Sequence, residues 1–228
     1  MPRVYCPYCG REISFTTKVC PDCGYRKWRP SALGLSVGNS YIFGNYCGED
    51  IEWRVLDVRD GASLLVSDKV IERRQYHREL VNNTWSGCSL RFWLNGEFLD
   101  TAFSATERAR ILKVDISNDG NEGYGTPGGP NTRDCVFCLS VDEVNHYFDH
   151  HAGSLICFPT KHAQYGKLGE AGLWTNDNGA CRWWLRSPGG YTAGAVYVDS
   201  IGSIPKNGTP IDNWNVGVRP ALWLSDTS

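Results

Sequence analysis

Long apolar runs are missing from these 228 residues. No stretch is long and apolar enough to cross a bilayer, and the opening "MPRVYCPYCG" holds no apolar core of a signal peptide. Such a chain is expected to be soluble and cytoplasmic, with export by an unrecognised route left open. A charge excess is missing too. The net charge of −2 argues against bulk affinity for nucleic acid or anionic membrane. There is no phosphate loop, no dinucleotide fingerprint and no H-E-x-x-H pair, and no repeat of solenoid length.

The remainder is ordinary in bulk and unusual in detail. Hydrophobic residues at 41% and charged residues at 21% describe a soluble globular protein. The length suits one sizeable core, or a small module followed by a larger domain. Nine Trp and eleven Tyr stand out, because a buried indole N–H needs an acceptor. That richness fits a compact fold with few long helices, or a binding surface.

Four of the ten cysteines share one motif. In "CPYCGREISFTTKVCPDCGYR" the thiols of Cys6, Cys9, Cys20 and Cys23 form two Cys-x-x-Cys pairs, each followed by glycine. Four thiolates satisfy tetrahedral zinc and leave no open position for catalysis. A segment this short folds only with such a staple. Residues 1–28 therefore read as a zinc ribbon with one structural Zn. "YRKWRP" sets three cations around one Trp, which suits a phosphate contact but more simply a solvated linker. Residues 29–36 read as the linker and 37–228 as the main domain, with the boundary near Leu35.

Within the main domain, three strands are predicted near 40–44, 52–58 and 62–67, with a hairpin turn at "RDG". "SLRFWLNGEFLDTAF" has helical spacing at Leu90, Trp93, Leu94 and Phe98. Ser104 with Glu107, and Ser140 with Glu143, are capping boxes, giving three short helices. Residues 117–132 are rich in Gly, Asn and Pro and read as a long loop. Its Asp and Asn residues match no known calcium loop. From about residue 173 short β-like segments return. The fold class is α+β: mixed antiparallel sheets with a few short helices.

Chemistry-bearing residues elsewhere are sparse. His146 and His150 share a helical face only if that helix continues past Phe148. Cys135 and Cys138 lie in strand-like "DCVFCLSV", where positions i and i+3 face opposite ways, making them poor chelators. Cys47, Cys88, Cys157 and Cys181 are isolated and read as small buried hydrophobes.

Several blocks together carry a resemblance: "EWRVLDV", "LLVSDKVI", "TWSGCSLRFWLNGEFLDTAFSATERARI", "VFCLSVDEVNHYF", "WWLRSPG", "AVYVDSIGSI" and "GVRPALWL". Over residues 37–224 the chain resembles a bacterial family of unnamed function, the DUF6273 group. That family is similar to domains with the C-type lectin fold, among them target proteins of diversity-generating retroelements. In those targets adenine-directed mutagenesis varies a C-terminal set of positions on a fixed scaffold. The resemblance implies that Trp183, Trp184, Leu185, Arg219, Pro220, Leu222 and Trp223 are anchors. It also implies a ligand-binding, retroelement-variable region at about 174–224. Tyr191, Thr192, Ala193, Asp199, Ser200, Ile201, Asn207, Thr209, Ile211, Asp212, Asn213 and Asn215 are reachable by adenine change from an Asn codon. Trp174, Tyr191 and Trp214 would be the aromatic contacts, with Asp199, Asp212, Asn213 and Asn215 as adaptable polar ones. Glycine- and asparagine-rich hairpins are also ordinary turn chemistry.

The expectation is thus a non-enzymatic ligand-binding protein, monomeric by default, whose ligand is a protein sooner than a sugar. Two alternatives stay open. One is an enzyme on the same fold using a Cys/His cleft; the copper-binding cysteine pair of the fold's formylglycine-generating oxidases has no clear match here. The other is a nucleic-acid adaptor acting through the ribbon.

Overall fold

The computed structural model describes residues 4–5, 12–13, 35–148, 152–166 and 172–226. Cys6, Cys9, Cys20 and Cys23 lie outside these residues. Strands β1 (Val4–Tyr5) and β2 (Glu12–Ile13) pair antiparallel and bracket the stretch of chain that holds Cys6 and Cys9.

The main domain begins with a meander whose turns are written into the sequence. Strand β3 (Ser40–Tyr46) pairs with β4 (Glu49–Arg59), and β4 pairs with β5 (Ala62–Ser67). Asp60 and Gly61 both have positive φ, 52° and 78°, the conformation a two-residue hairpin needs to match strand twist. β5 is buried along its whole length, because it is central in its sheet. The C-terminal β15 (Ala221–Ser225) covers its other edge. Two short strands, β7 (Ile111–Leu112) and β10 (Val136–Phe137), lie along the far side of β15.

A second sheet has the order β13-β12-β11-β14-β6. Its members are β6 (Glu72–Arg73), β11 (Trp183–Pro188), β12 (Gly194–Val198), β13 (Thr209–Pro210) and β14 (Gly217–Val218). One pair, β11 with β14, is parallel, so the sheet is mixed and not purely antiparallel. A small ladder, β8 (Val114–Ile116) with β9 (Thr132–Asp134), closes the base of the long loop. The architecture is α+β, sheet-rich with few helices.

Helices fill the middle of the chain. α1 (Ser89–Trp93) runs through a π-turn at Leu94–Phe98 into α2 (Leu99–Ala102). Asn95 sits in that turn. Its amide donates to Val136 O and its carbonyl accepts from Cys135 N and Val136 N, fastening the helix to β10. Both capping boxes form, at α3 (Ala105–Arg108) and α4 (Val141–Tyr147). The structure adds α5 (Lys161–Tyr165), capped by Thr160. α4 ends at Tyr147 with Phe148 extended, so the helix needed to align His146 with His150 does not continue; His150 is outside the described residues. Leu35, at the expected boundary between linker and domain, is buried in the core.

Two arginines tie the layers together. Between β14 and β15 the chain passes from one sheet to the other at Arg219 and Pro220. Pro220 O accepts from Ser67 N, and Arg219 Nε donates to Ser67 O at 2.9 Å. Arg186, at 5% exposure, spends all five N–H groups. They go to Ser117 O twice, to Cys138 O once and to both carboxylate oxygens of Glu143. A buried guanidinium is tolerable only with such full satisfaction. Arg186→Met is expected to cost about 3 kcal/mol or more, and Arg186→Lys to recover little of it, since an ammonium cannot reach the same acceptors. Urea unfolding of the three proteins measures both.

Candidate functional site

The segment between the two anchor blocks is built on tryptophans. Trp183 and Trp184 are fully buried, and their side chains leave on opposite sides of β11. Trp183 Nε1 donates to Leu155 O at 3.1 Å, and Trp184 Nε1 to Arg74 O at 2.9 Å. Tyr76 packs edge-on against Trp184 and donates to Arg186 O. With that frame fixed, the following chain can be glycine-rich. A Cβ on Gly194 would stand 2.8 Å from the Tyr191 ring, and one on Gly190 would stand 2.8 Å from the Tyr124 ring. Each glycine is there because an aromatic ring lies against the backbone.

The sequence-predicted positions do not form one patch. They divide between the two ends of β12, whose five residues span ~16 Å at strand rise. At the first end, Tyr191 is exposed, and Thr192 Oγ1 bonds Asn82 Oδ1 at 2.6 Å. Asn213 Nδ2 donates to Thr209 Oγ1 at 2.9 Å, and its Oδ1 accepts from Asn215 N. Asn207 is exposed and its carbonyl accepts from Gly190 N. Partial burial, then the Asp212 charge, raise the Tyr191 phenol above its ordinary value. At the other end, Asp199 Oδ1 accepts from Ile201 N and Ser203 N, each at 2.9 Å. Asn176 Nδ2 donates to Ser200 O at 3.0 Å, which ties that turn to the segment carrying Trp174. Ile201, Trp174 and Trp214 are half or more exposed.

Ile211 corrects the expectation. It is fully buried, and its backbone is held between Ala193 O and His77 N. Its side chain belongs to the core and is not available to a ligand.

Several neighbours of this face carried no signal in the sequence. The Arg182 guanidinium lies between Trp174 and Tyr197, 5.8 and 5.5 Å from the ring centroids. Arg73 lies 5.0 Å over Trp214. Asn121, from the long loop, donates to Pro188 O and Lys206 O. It thereby closes one side of a polar cleft of about 520 Å³ between that loop, the start of α4, Arg186–Pro188 and Lys206. None of these contacts is periodic or local, so no spacing rule finds them.

The thiols have an environment of their own. Burial raises the Cys88 thiol to about 12, and raises Cys138, Cys157, Cys181 and half-buried Cys135 above the ordinary range. Cys135 and Cys138 flank the two-residue β10 and are buried to different degrees. Among the described residues no group of three or more His, Cys, Asp or Glu side chains could hold a metal. Peptide mapping after brief iodoacetamide treatment at neutral pH is expected to find exposed Cys47 alkylated. Those five thiols should stay unmodified until denaturant is added. Fast, selective labelling of any of the five would instead favour an enzyme.

One family model matches the chain, over residues 60–226, and its description is Domain of unknown function (DUF6273). No curated protein and no solved structure matches. The matched segment contains both anchor blocks, Arg186 with its partner Glu143, and every position of the candidate face. It is the greater part of the chain, and the protein belongs to the DUF6273 family.

Proposed function

We propose that this is a non-enzymatic binding protein: a zinc ribbon joined to a C-type-lectin-like domain whose C-terminal loops meet a protein ligand and are diversified by a retroelement. The observation that carries this reading is the contrast between frame and loops. Trp183, Trp184, Leu185, Arg186, Val196, Val198, Arg219 and Leu222 are all buried, while Tyr191, Thr192, Ile201, Asn207, Trp214 and Asn215 between them are exposed. The exposed positions are joined to the frame largely through backbone hydrogen bonds, such as Gly190 N to Asn207 O and Gly194 N to Tyr191 O. Side chains held in that way can change without unfolding the domain. The desolvated thiols also favour a binding protein over a cysteine enzyme.

Zinc is part of the same proposal. Cys6, Cys9, Cys20 and Cys23 would hold it, and its role would be to fold the ribbon. Metal analysis of the purified chain is expected to find one zinc, lost in Cys6→Ser with Cys9→Ser.

Deep sequencing of the 3′ end of the gene across a population of the source cells tests diversification. Changes are expected at the codons for Tyr191, Thr192, Ile201, Asn207 and Asn215. Asp199 and Asn213 should change less, because their side chains hold turns. Codons of the WWLRSPG and GVRPAL blocks and of Ile211 should be spared. A 3′ end as uniform as the rest of the gene would sink diversification and leave a fixed binder.

A further inference from the structure

Cys157 and Cys181, far apart in the sequence, are partners in the fold. They face one another in an antiparallel bridge outside the named strands, and Cys181 N donates to Cys157 O at 2.9 Å. Both are free thiols and both are buried. Among the described residues no other two cysteines are partners across a bridge or ladder.

Directly opposed residues of an antiparallel pair send their side chains to the same face. The Cα atoms of a hydrogen-bonded pair stand about 5.5 Å apart, inside the span that a disulfide bridges. The Cβ atoms stand about 5 Å apart, and a disulfide draws them to about 4 Å. An isolated bridge can take up that adjustment, because the pair does not lie in the interior of a ladder. Neither thiol is strongly held elsewhere. Cys157 Sγ donates to Asp68 O at 3.4 Å and Cys181 Sγ to Cys157 O at 3.5 Å. A thiol is a weak donor, so little is lost when both protons leave.

The stretch between the two cysteines carries α5 and Trp174. Two residues beyond each cysteine, Trp183 Nε1 already fastens Leu155 O to β11. We infer that Cys157 and Cys181 form a redox pair whose disulfide, made by exchange with a low-molecular-weight disulfide of the glutathione class, staples the base of the stretch that carries α5 and Trp174. The inference does not depend on the binding reading above.

Burial raises both thiols, neighbouring Cys157 raises Cys181 further, and the Arg219 guanidinium opposes this. The folded pair is therefore slow with reagents from solution, and exchange proceeds through local opening. Ile156 and Phe158, on either side of Cys157, are exposed, so that segment lies at the surface. When it opens, the Cys157 thiolate attacks the sulfur–sulfur bond of the reagent and one thiol leaves. The Cys181 thiolate then attacks the Cys157 sulfur of the mixed disulfide, and the second thiol leaves. Two electrons and two protons pass from the pair to the reagent.

Prolonged incubation of the full chain with oxidised glutathione at neutral pH, followed by iodoacetamide in denaturant, tests it. Digestion with trypsin and a glutamyl endopeptidase cuts after Glu143 and so separates Cys157 from Cys135 and Cys138. Mass spectrometry is expected to find the Cys157 and Cys181 peptides linked, and dithiothreitol should release them. The oxidised protein should melt about 5 °C or more above the reduced one. Cys157→Ala or Cys181→Ala should lose both the linked peptide and the shift. The linkage and the shift are read on wild type, so the test stands even if neither variant folds. Recovery of both cysteines as alkylated thiols, after incubation just below melting where openings are frequent, would overturn the inference. So would glutathione left on Cys157 without linkage, or either cysteine linked to Cys47 or to a ribbon thiol instead. A linked form that melts no higher than the reduced protein would overturn the staple.

Discussion

The pairing of Arg186 with Glu143 holds the rest of this domain in register. Desolvating a guanidinium costs several kcal/mol even after relaxation, and here the cost is offset by five hydrogen bonds from one side chain. Those bonds join four places in the chain: β11, the start of the long loop at Ser117, the end of β10 at Cys138, and the first turn of α4. Glu143 serves twice, because its carboxylate also accepts from Ser140 N to close the capping box. The cap thus helps hold the carboxylate in the rotamer that Arg186 meets. Tyr76, bonded to Arg186 O, carries the constraint on to Trp184 and the β6 side of the sheet.

The tryptophans extend the same logic with neutral groups. Trp53 donates to Phe43 O, Trp85 to Asp134, Trp183 to Leu155 O and Trp184 to Arg74 O. Each ring fills a large volume; Trp53 and Trp85 fasten strands β3 and β9, while Trp183 and Trp184 each fix a segment outside the ladders. That is how a domain with short helices and many loops stays ordered. Leu155 and Arg74 lie in such segments, and a Leu or Phe at 183 or 184 would fill space without holding them. Asp134 repeats the Arg186 arrangement in reverse, as a buried carboxylate accepting from Trp85, Arg91 and Thr132. The base of the long loop is therefore pinned from below.

What could be read in the sequence was local. The turn at Asp60–Gly61 needs only positive φ at two adjacent residues. Both capping boxes need only a Ser and a Glu three residues apart, and the α1–α2 stripe needs only helical spacing. What could not be read depends on pairing between distant segments. Whether Ile211 faces core or solvent is set by Ala193 and His77, and in a run of turn residues no alternation reveals it. Leu35 looked like linker because Pro, Ser and Gly surround it, yet its side chain is buried with the core. The resemblance marked a ligand region at about 174–224 and could not show its division, because the length of β12 and its register with β11 separate Tyr191 from Asp199. The arginine stacks were hidden for the same reason: Trp174, Arg182 and Tyr197 meet across strands, and Arg73 lies more than a hundred residues from its tryptophan.

Side chains on the proposed face do two different jobs. Asp199 and Asn213 cap turns with their own oxygens, and Thr209 steadies Asn213, so replacing them changes loop shape as well as chemistry. Tyr191, Ile201, Asn207 and Asn215 lie on turns whose backbone bonds do not involve their side chains. A domain whose loops were shaped only for turning would have little need of the second group, since Gly or Ser would serve at each position with less apolar surface exposed. Their size and variety, set on a frame whose anchors are buried except for half-buried Trp223, is what a contact surface requires.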